Sequence, residues 1–335
     1  MKGFLYIALL FMLHANSYGQ DLHFSQFFAS PLIVNPANTG NFSGVWRIGL
    51  NYRDQWGSVT TPYRTYDLYT DGTIQPKGAK NKLGIGLYVA NDVAGDGELT
   101  TTKAMGSAAY QMSLSEDQTY NLSIGISGGI VQKRIDFTKL LFDSQWNGYN
   151  FDSNLSNQEN GAVDNLNYLD FSIGGMFSAT PFAGEKYYVG LAAHHINKPE
   201  ESFYGEANII GIRTTATVGA FFPINNRINI NPQLYFSTQK NARDIILGAN
   251  ASFPVGDLER NSDKTFFAGI WYRYLDAAWC VMGLSISNFT FSASYDFNLS
   301  GLTPASNSFG GLELALVYTL SKSNKRDPLN CPAYE

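Results

Sequence analysis

Four histidines, two cysteines and a short run of arginines are the residues of this chain whose chemistry could go beyond packing. His194 and His195 are adjacent, and adjacent side chains on a strand point to opposite faces, so the pair cannot close on one metal ion. A hydrolase would need a serine partner for a histidine such as His194, and no signature surrounds either residue type. Cys280 and Cys331 are too few for a disulfide framework and lack the spacing of a metal site. The residues therefore point to no enzyme, no metal and no cofactor. Arg47, Asn51 and Arg53 do share one face of a segment whose other face is Trp46, Ile48, Leu50 and Tyr52. Arg64 and Asp67 follow on the next segment with opposite parity, which keeps them off a common face unless a bulge intervenes. What these charges face depends on the elements that carry them.

Those elements are long alternating segments. Leu83, Ile85, Leu87 and Val89 interleave with Gly84, Gly86, Tyr88 and Ala90, and Leu122, Ile124 and Ile126 interleave with Ser123, Gly125 and Ser127. Phe289, Phe291, Ala293, Tyr295 and Phe297 oppose Thr290, Ser292, Ser294, Asp296 and Asn298 in the same way. Side chains alternate faces along a strand, so each segment has one wholly apolar face. Strands are read over 44–54, 64–74, 82–91, 101–114, 119–133, 166–180, 186–197, 207–222, 227–238, 243–254, 264–274, 277–286, 289–299 and 310–320. They are close to the roughly 9 to 11 residues that a tilted strand needs to cross a bilayer. Pro232 sits on an apolar face and predicts a bulge or short break. Connections after even-numbered strands are mostly short, whereas the other set holds the longest loop, about 134–165, as outer-membrane barrels require. QKNAR (239–243) and the join at Leu275 and Asp276 are short exceptions on the long-loop side.

Composition separates this barrel from a soluble β-sandwich. Hydrophobic residues make up 44% of the 335 positions and charged ones only 15%, against about 25% charged in an average soluble domain. The apolar faces carry no charge, as lipid demands, since one charge at the bilayer midplane costs roughly 2–4 kcal/mol. A net charge of −5 leaves no electrostatic footprint for nucleic acid. No stretch after residue 20 has the length of a membrane-spanning helix. The fold expected is all-β, a transmembrane antiparallel barrel of about fourteen strands.

Four regions follow. Residues 1–19 read as a cleaved secretory signal, with Lys2, an apolar run from Phe4 to Leu13, and Ser17 and Gly19 before a cut at Gln20. Residues 20–43 form an aromatic segment interrupted by Pro31 and Pro36, which cannot be a regular strand and is read as a plug or rim. Its candidate plug or partner contacts are His23, Phe24, Gln26, Phe27, Phe28, Asn35 and Pro36. Residues 44–320 are the barrel, whose candidate lumen charges are Arg47, Arg53, Arg64 and Asp67. Residues 321–335 are a polar periplasmic tail. That topology puts Cys280 near the outer end of its strand and Cys331 in the tail, too far apart to bond, so two free thiols are expected.

The segments QDLHFSQFFASPLIVNPANTG (Gln20 to Gly40), RIGLNYRDQWGS (Arg47 to Ser58), TYDLYTDG (Thr65 to Gly72), NDVAGDGEL (Asn91 to Leu99), LLFDSQ (Leu140 to Gln145) and NCPAY (Asn330 to Tyr334) carry a resemblance. Together they resemble the PorP/SprF family, outer-membrane proteins of the type IX secretion and gliding machinery of Bacteroidetes. The resemblance spans essentially the whole mature chain. It implies an outer-membrane barrel that works with the type IX machinery and with a large adhesin ending in a C-terminal secretion signal. It also makes Pro332 and Tyr334 candidate tail contacts for a periplasmic partner. Outer-membrane lipid is the remaining partner. The alternative on the same barrel is a porin or hydrophobic-solute channel.

Overall fold

The computed structural model describes residues 21–321, apart from positions 58, 60, 160–162, 206–207, 226, 256–263 and 302. The expected signal segment and its cut before Gln20, the tail with Pro332 and Tyr334, and Cys331 lie outside the described residues.

Fourteen strands follow one another among the described residues. They are β1 (Trp46–Gln55), β2 (Tyr63–Ile74), β3 (Lys82–Ala94), β4 (Leu99–Ser113), β5 (Tyr120–Arg134), β6 (Asn165–Ala179) and β7 (Lys186–His194). The second half is β8 (Arg213–Asn225), β9 (Ile228–Gln239), β10 (Ala242–Pro254), β11 (Lys264–Arg273), β12 (Ala277–Ile286), β13 (Phe289–Asn298) and β14 (Phe309–Leu320). Every strand pairs antiparallel with its sequence neighbours, and β1 pairs with β14, so the sheet closes into a barrel with no free edge. No described helix is long and apolar enough to cross a membrane.

Alternation decides which residues meet lipid and which meet the interior. Ile85, Leu87 and Val89 point outward and are exposed, while Tyr88 and Ala90, of the opposite parity, are buried inside. Strand ends lie close to the boundaries read from the sequence, with one clear shift. β8 starts at Arg213 rather than 207, because Glu200 and Ile209 form a bridge within the β7–β8 connection instead.

Pro232 interrupts one ladder and not the other. It stays in register with Ala249 of β10, but the β8–β9 pairing skips the positions opposite Ala220 and Phe221 and resumes at Phe222 and Ile230. Proline has no N–H to donate there, and the Asn231 side-chain Nδ2 donates to the Ala220 carbonyl in its place, at 2.8 Å.

Inside the barrel lies the N-terminal segment. Its backbone makes three short helical turns, at Phe27–Ala29, Pro31–Val34 and Pro36–Asn38. Asn35 caps the third turn, its Oδ1 accepting from the Ala37 N–H at 2.8 Å, and Pro36 occupies the first helical position, where a missing N–H costs nothing. The interior wall is shaped to this segment. A Cβ on Gly125 would sit 2.4 Å from the Pro36 carbonyl oxygen, and one on Gly84 would sit 2.0 Å from that of Thr39. Only glycine lets the two backbones approach so closely.

Candidate functional site

The site that the fold builds is the filled lumen. Asp21 reaches the long-loop rim, where it meets Arg213 at the start of β8 and His195 just beyond β7. Gly40 lies near the opposite rim, its N–H donating to Asp71 at 2.7 Å. The plug thus runs along the barrel axis, and both of its faces are buried in wall residues.

Its middle is an aromatic cluster. Phe27 stacks on Tyr235 at 5.1 Å between ring centroids, Phe28 stacks on Trp271 at 5.5 Å, and Trp271 stacks in turn on Trp279 at 6.2 Å. Arg273 lies over the Trp279 ring at 5.4 Å, a cation–π contact sheltered from water. Phe24 packs in a second cluster with Leu32, Ile33, Tyr69, Tyr88 and Met105.

Charged residues of the wall hold the plug by its backbone. Glu313 accepts from the N–H groups of Ser25 and Gln26 at 2.7 and 2.8 Å, and it forms an ion pair with Arg53 at 3.1 Å. Arg53 donates to the His23 carbonyl at 2.6 Å and lies 3.6 Å from Asp296, which accepts from the Ser25 hydroxyl. Gln26 adds bonds to Ser292 and Ser294. Arg47 grips Asp71 through two parallel bonds of 2.9 and 2.8 Å, the fork geometry that makes arginine suited to a buried carboxylate. Asp67 accepts from Ser30 of the plug and from Asn51. Asn35 donates to the Gly175 and Leu191 carbonyls, and Pro36 lies against Gly125.

The upper end is an ionic latch. Asp21 pairs with Lys103, lies 3.1 Å from His195 Nε2 and 3.4 Å from Arg213, while His195 Nδ1 lies 2.9 Å from Asp170. Burial alone would raise the Asp21 carboxyl, but Lys103, Arg213 and His195 outweigh it and hold it well below the usual carboxylate range. Burial works against a charge on His195, and its hydrogen bonds to Asp170 and Asp21 overcome that and raise it. An imidazole that faces a carboxylate at each nitrogen donates twice, which requires the imidazolium form. His23 is the opposite case: burial, with Arg273 and Arg53 nearby, holds its imidazole well below its ordinary value.

The structure gathers His23, Phe24, Gln26, Phe27, Phe28, Asn35 and Pro36 inside the barrel, together with Arg47, Arg53 and Asp67. Arg64 does not join them. Its parity puts it on the outward, solvent-exposed side of β2, paired with Asp54 at 3.2 Å. The reading of His194 and His195 as facing opposite ways is also corrected. His195 has left the strand with φ +58°, which swings it inward, so both rings are buried on the lumen side. His194 meets Ser172 and the Val34 carbonyl, and no group of metal ligands forms among the described residues. Cys280 is a free, exposed thiol.

Sequence reasoning did not single out Asp21, Lys103, Asp170, Arg213, Asp296 or Glu313. Glu313 and Asp296 were visible as lone acids on the small, polar faces of otherwise apolar strands. Asp21 carried no signal, because its partners come from strands separated from it by as many as 192 positions (Arg213 against Asp21).

Solved structures share this architecture at low identity. The toluene transporter TodX of Pseudomonas putida is 10% identical with a TM-score of 0.53, the alignment covering 88% of this chain and 93% of that one. The toluene transporter TbuX of Ralstonia pickettii is 11% identical with a TM-score of 0.51 and the same coverages. CymD, a monoaromatic hydrocarbon channel, is 12% identical with a TM-score of 0.50, covering 88% and 94%. These likenesses establish the fold. No curated protein matches the chain. The model of the type IX secretion system membrane proteins PorP/SprF, however, matches residues 16–318. With nearly its whole length matched and its strands closed into an outer-membrane barrel, the chain belongs to the PorP/SprF family of type IX secretion system membrane proteins.

Proposed function

We propose that the protein is a non-enzymatic outer-membrane component of the type IX secretion machinery that supports export or surface attachment of a large adhesin-type partner carrying a C-terminal secretion signal. The observation that carries this reading is the filled lumen. A plug held by Glu313, Arg53, Asp71 and Asp21 and packed through Phe24, Phe27 and Phe28 leaves the barrel suited to binding and scaffolding. Buried, hydrogen-bonded ion pairs hold one conformation against alternatives, which suits a docking platform better than a diffusion channel. In this reading an N-terminal signal delivers the chain for insertion into outer-membrane lipid, which the apolar outward faces of the strands accept. Affinity capture of the tagged protein from native membranes tests the proposal. Co-purification of type IX machinery and an exported adhesin is the expected result, and recovery of the barrel alone would count against it.

One observation favours a second reading, a route for apolar solutes. Beside Pro232, where the β8–β9 ladder is interrupted, an open apolar groove of about 750 Å³ is lined by Ala220, Pro232 and Ala249. Val189, Leu234 and Leu247 flank it. Uptake of toluene into vesicles containing the pure protein separates the readings. Uptake at the level of empty vesicles supports the secretion role, and saturable uptake abolished by Ala220→Trp supports the solute route.

A further inference from the structure

The long-loop rim carries a built structure of its own. The β3–β4, β5–β6 and β7–β8 connections pack into one body. The Asp136 N–H donates to the Gly97 carbonyl at 2.8 Å, and the Val163 N–H to that of Phe203 at 2.8 Å. Lys139 pairs with Glu98 at 2.6 Å, Lys133 pairs with Glu201, and Phe137 meets Phe203 edge-on. From this body projects a small hairpin. Trp146 and Phe151 bridge across it with ring centroids 5.1 Å apart, and the Asp152 N–H donates to the Gln145 carbonyl at 2.9 Å.

Hydrogen bonds within the hairpin tie its turn together. Asn147 Oδ1 accepts from the N–H groups of Tyr149 and Asn150 at 3.0 and 3.1 Å, and its Nδ2 donates to Asn150 Oδ1 at 2.8 Å. Gly148 supplies the turn with φ +99°. Beneath it the buried Gln145 side chain donates to the Leu155 carbonyl and accepts from the Phe142 N–H, both at 3.1 Å. The result holds Tyr149 at 92% exposure at the tip, with Trp146 at 50% and Phe151 at 44% below it. Exposed aromatic rings on a pre-organised scaffold are the residues that dominate binding energy in protein interfaces.

We propose that this hairpin is the finger by which the barrel holds the exported partner at the cell surface, a proposal that rests on the secretion reading above. Charge selects the kind of occupant. Residues 135–164 contain Asp136, Asp143, Asp152, Glu159 and Asp164 against a single Lys139. An acidic loop repels the phosphates of the surrounding lipopolysaccharide, and it complements a protein that offers an apolar pocket with a basic rim.

The test places a photo-crosslinking p-benzoylphenylalanine at position 149 in otherwise full-length protein and irradiates intact cells. The expected result is an adduct with one large exported protein bearing a type IX C-terminal signal, absent when Trp146→Ala is added. No adduct, or an adduct with lipid, lipopolysaccharide or any other molecule, overturns the proposal. In parallel, the W146A/Y149A variant is expected to release about tenfold or more of the partner into the medium, the loss that follows from removing interface anchors. Normal barrel assembly in that variant is checked by heat-modifiable migration. Deleting the whole gene separates the two ideas. Lost surface display on deletion with full retention in W146A/Y149A overturns the finger alone, whereas unchanged display on deletion overturns the secretion reading beneath it.

Discussion

Replacing Glu313 by Ala removes the group that ties three parts of the plug site together. In the native barrel its two oxygens accept from the Ser25 and Gln26 N–H groups and pair with Arg53, all out of contact with water. Removing one partner of a buried ion pair costs about 3–5 kcal/mol, and each buried N–H left without an acceptor adds roughly 1–3 kcal/mol unless water enters. Relaxation of Arg53 toward Asp296, 3.6 Å away, recovers part of this. A net loss of about 4 kcal/mol, at about 1.4 kcal/mol per factor of ten, shifts the balance between seated and released plug by roughly a thousandfold. The assay is conductance in planar bilayers beside amide exchange at Ser25 and Gln26. Wild type is expected to be silent and protected, and E313A to conduct and exchange rapidly. The apolar double variant R53M/E313L removes both charges of the pair but still leaves the Ser25 and Gln26 N–H groups without their acceptor, and it is expected to fall between E313A and wild type. A folded E313A that stays silent with both amides still protected would refute the claim that the wall holds the plug through this carboxylate.

Four further outcomes are expected. Gly125→Val drives side-chain atoms into the Pro36 carbonyl, 2.4 Å from the new Cβ, and is expected to destabilise the barrel by about 1–3 kcal/mol in a urea titration from lipid vesicles, with no such loss at the open Gly301, whose backbone is not left-handed. Leu87→Arg on the outward face of β3 is expected to cost roughly 2–4 kcal/mol in the same titration, and Leu87→Val far less. The latch at Asp21 has an optimum in pH. His195 is raised above 6.5, so its contribution is full below that value and is lost as pH rises through the folded value; Asp21 is depressed below 3.8, so its contribution is full above that value and is lost as pH falls through its folded value. Amide protection of Leu22 and His23 is therefore expected to pass through a maximum between these limits, and a flat profile would contradict the latch. Arg47→Lys keeps the charge but loses the two-bond grip on Asp71, and is expected to loosen the Gly40 end of the plug, read as faster exchange at the Gly40 amide.

Strand positions were legible because lipid enforces a period of two with almost no tolerance for charge. Leu83 to Val89 and Phe289 to Phe297 announce their faces from residue types alone. Arg47, Asn51, Arg53 and Asp67 were legible for the same reason, since a polar side chain opposite an apolar face has only the lumen to enter. Local geometry escaped where the chain left the strand. His195 breaks parity through a positive φ that its residue type does not demand, and β8 begins late because Glu200 and Ile209 pair within the loop. Arg64 illustrates a further limit: parity sends it outward, and its partner is Asp54 near the strand end rather than a lumen acid. The plug's anchors were hidden by distance, because Glu313 gains its meaning from Ser25 and Gln26, 288 and 287 positions away, and Asp296 from Ser25, 271 positions away.

Quantifying surface proteins on intact cells with and without this gene tests the central claim most directly. A plugged barrel serving type IX secretion predicts that one large exported protein disappears from the surface on deletion and returns with the wild-type gene. An unchanged surface, accompanied by a loss of apolar-solute uptake, would contradict it.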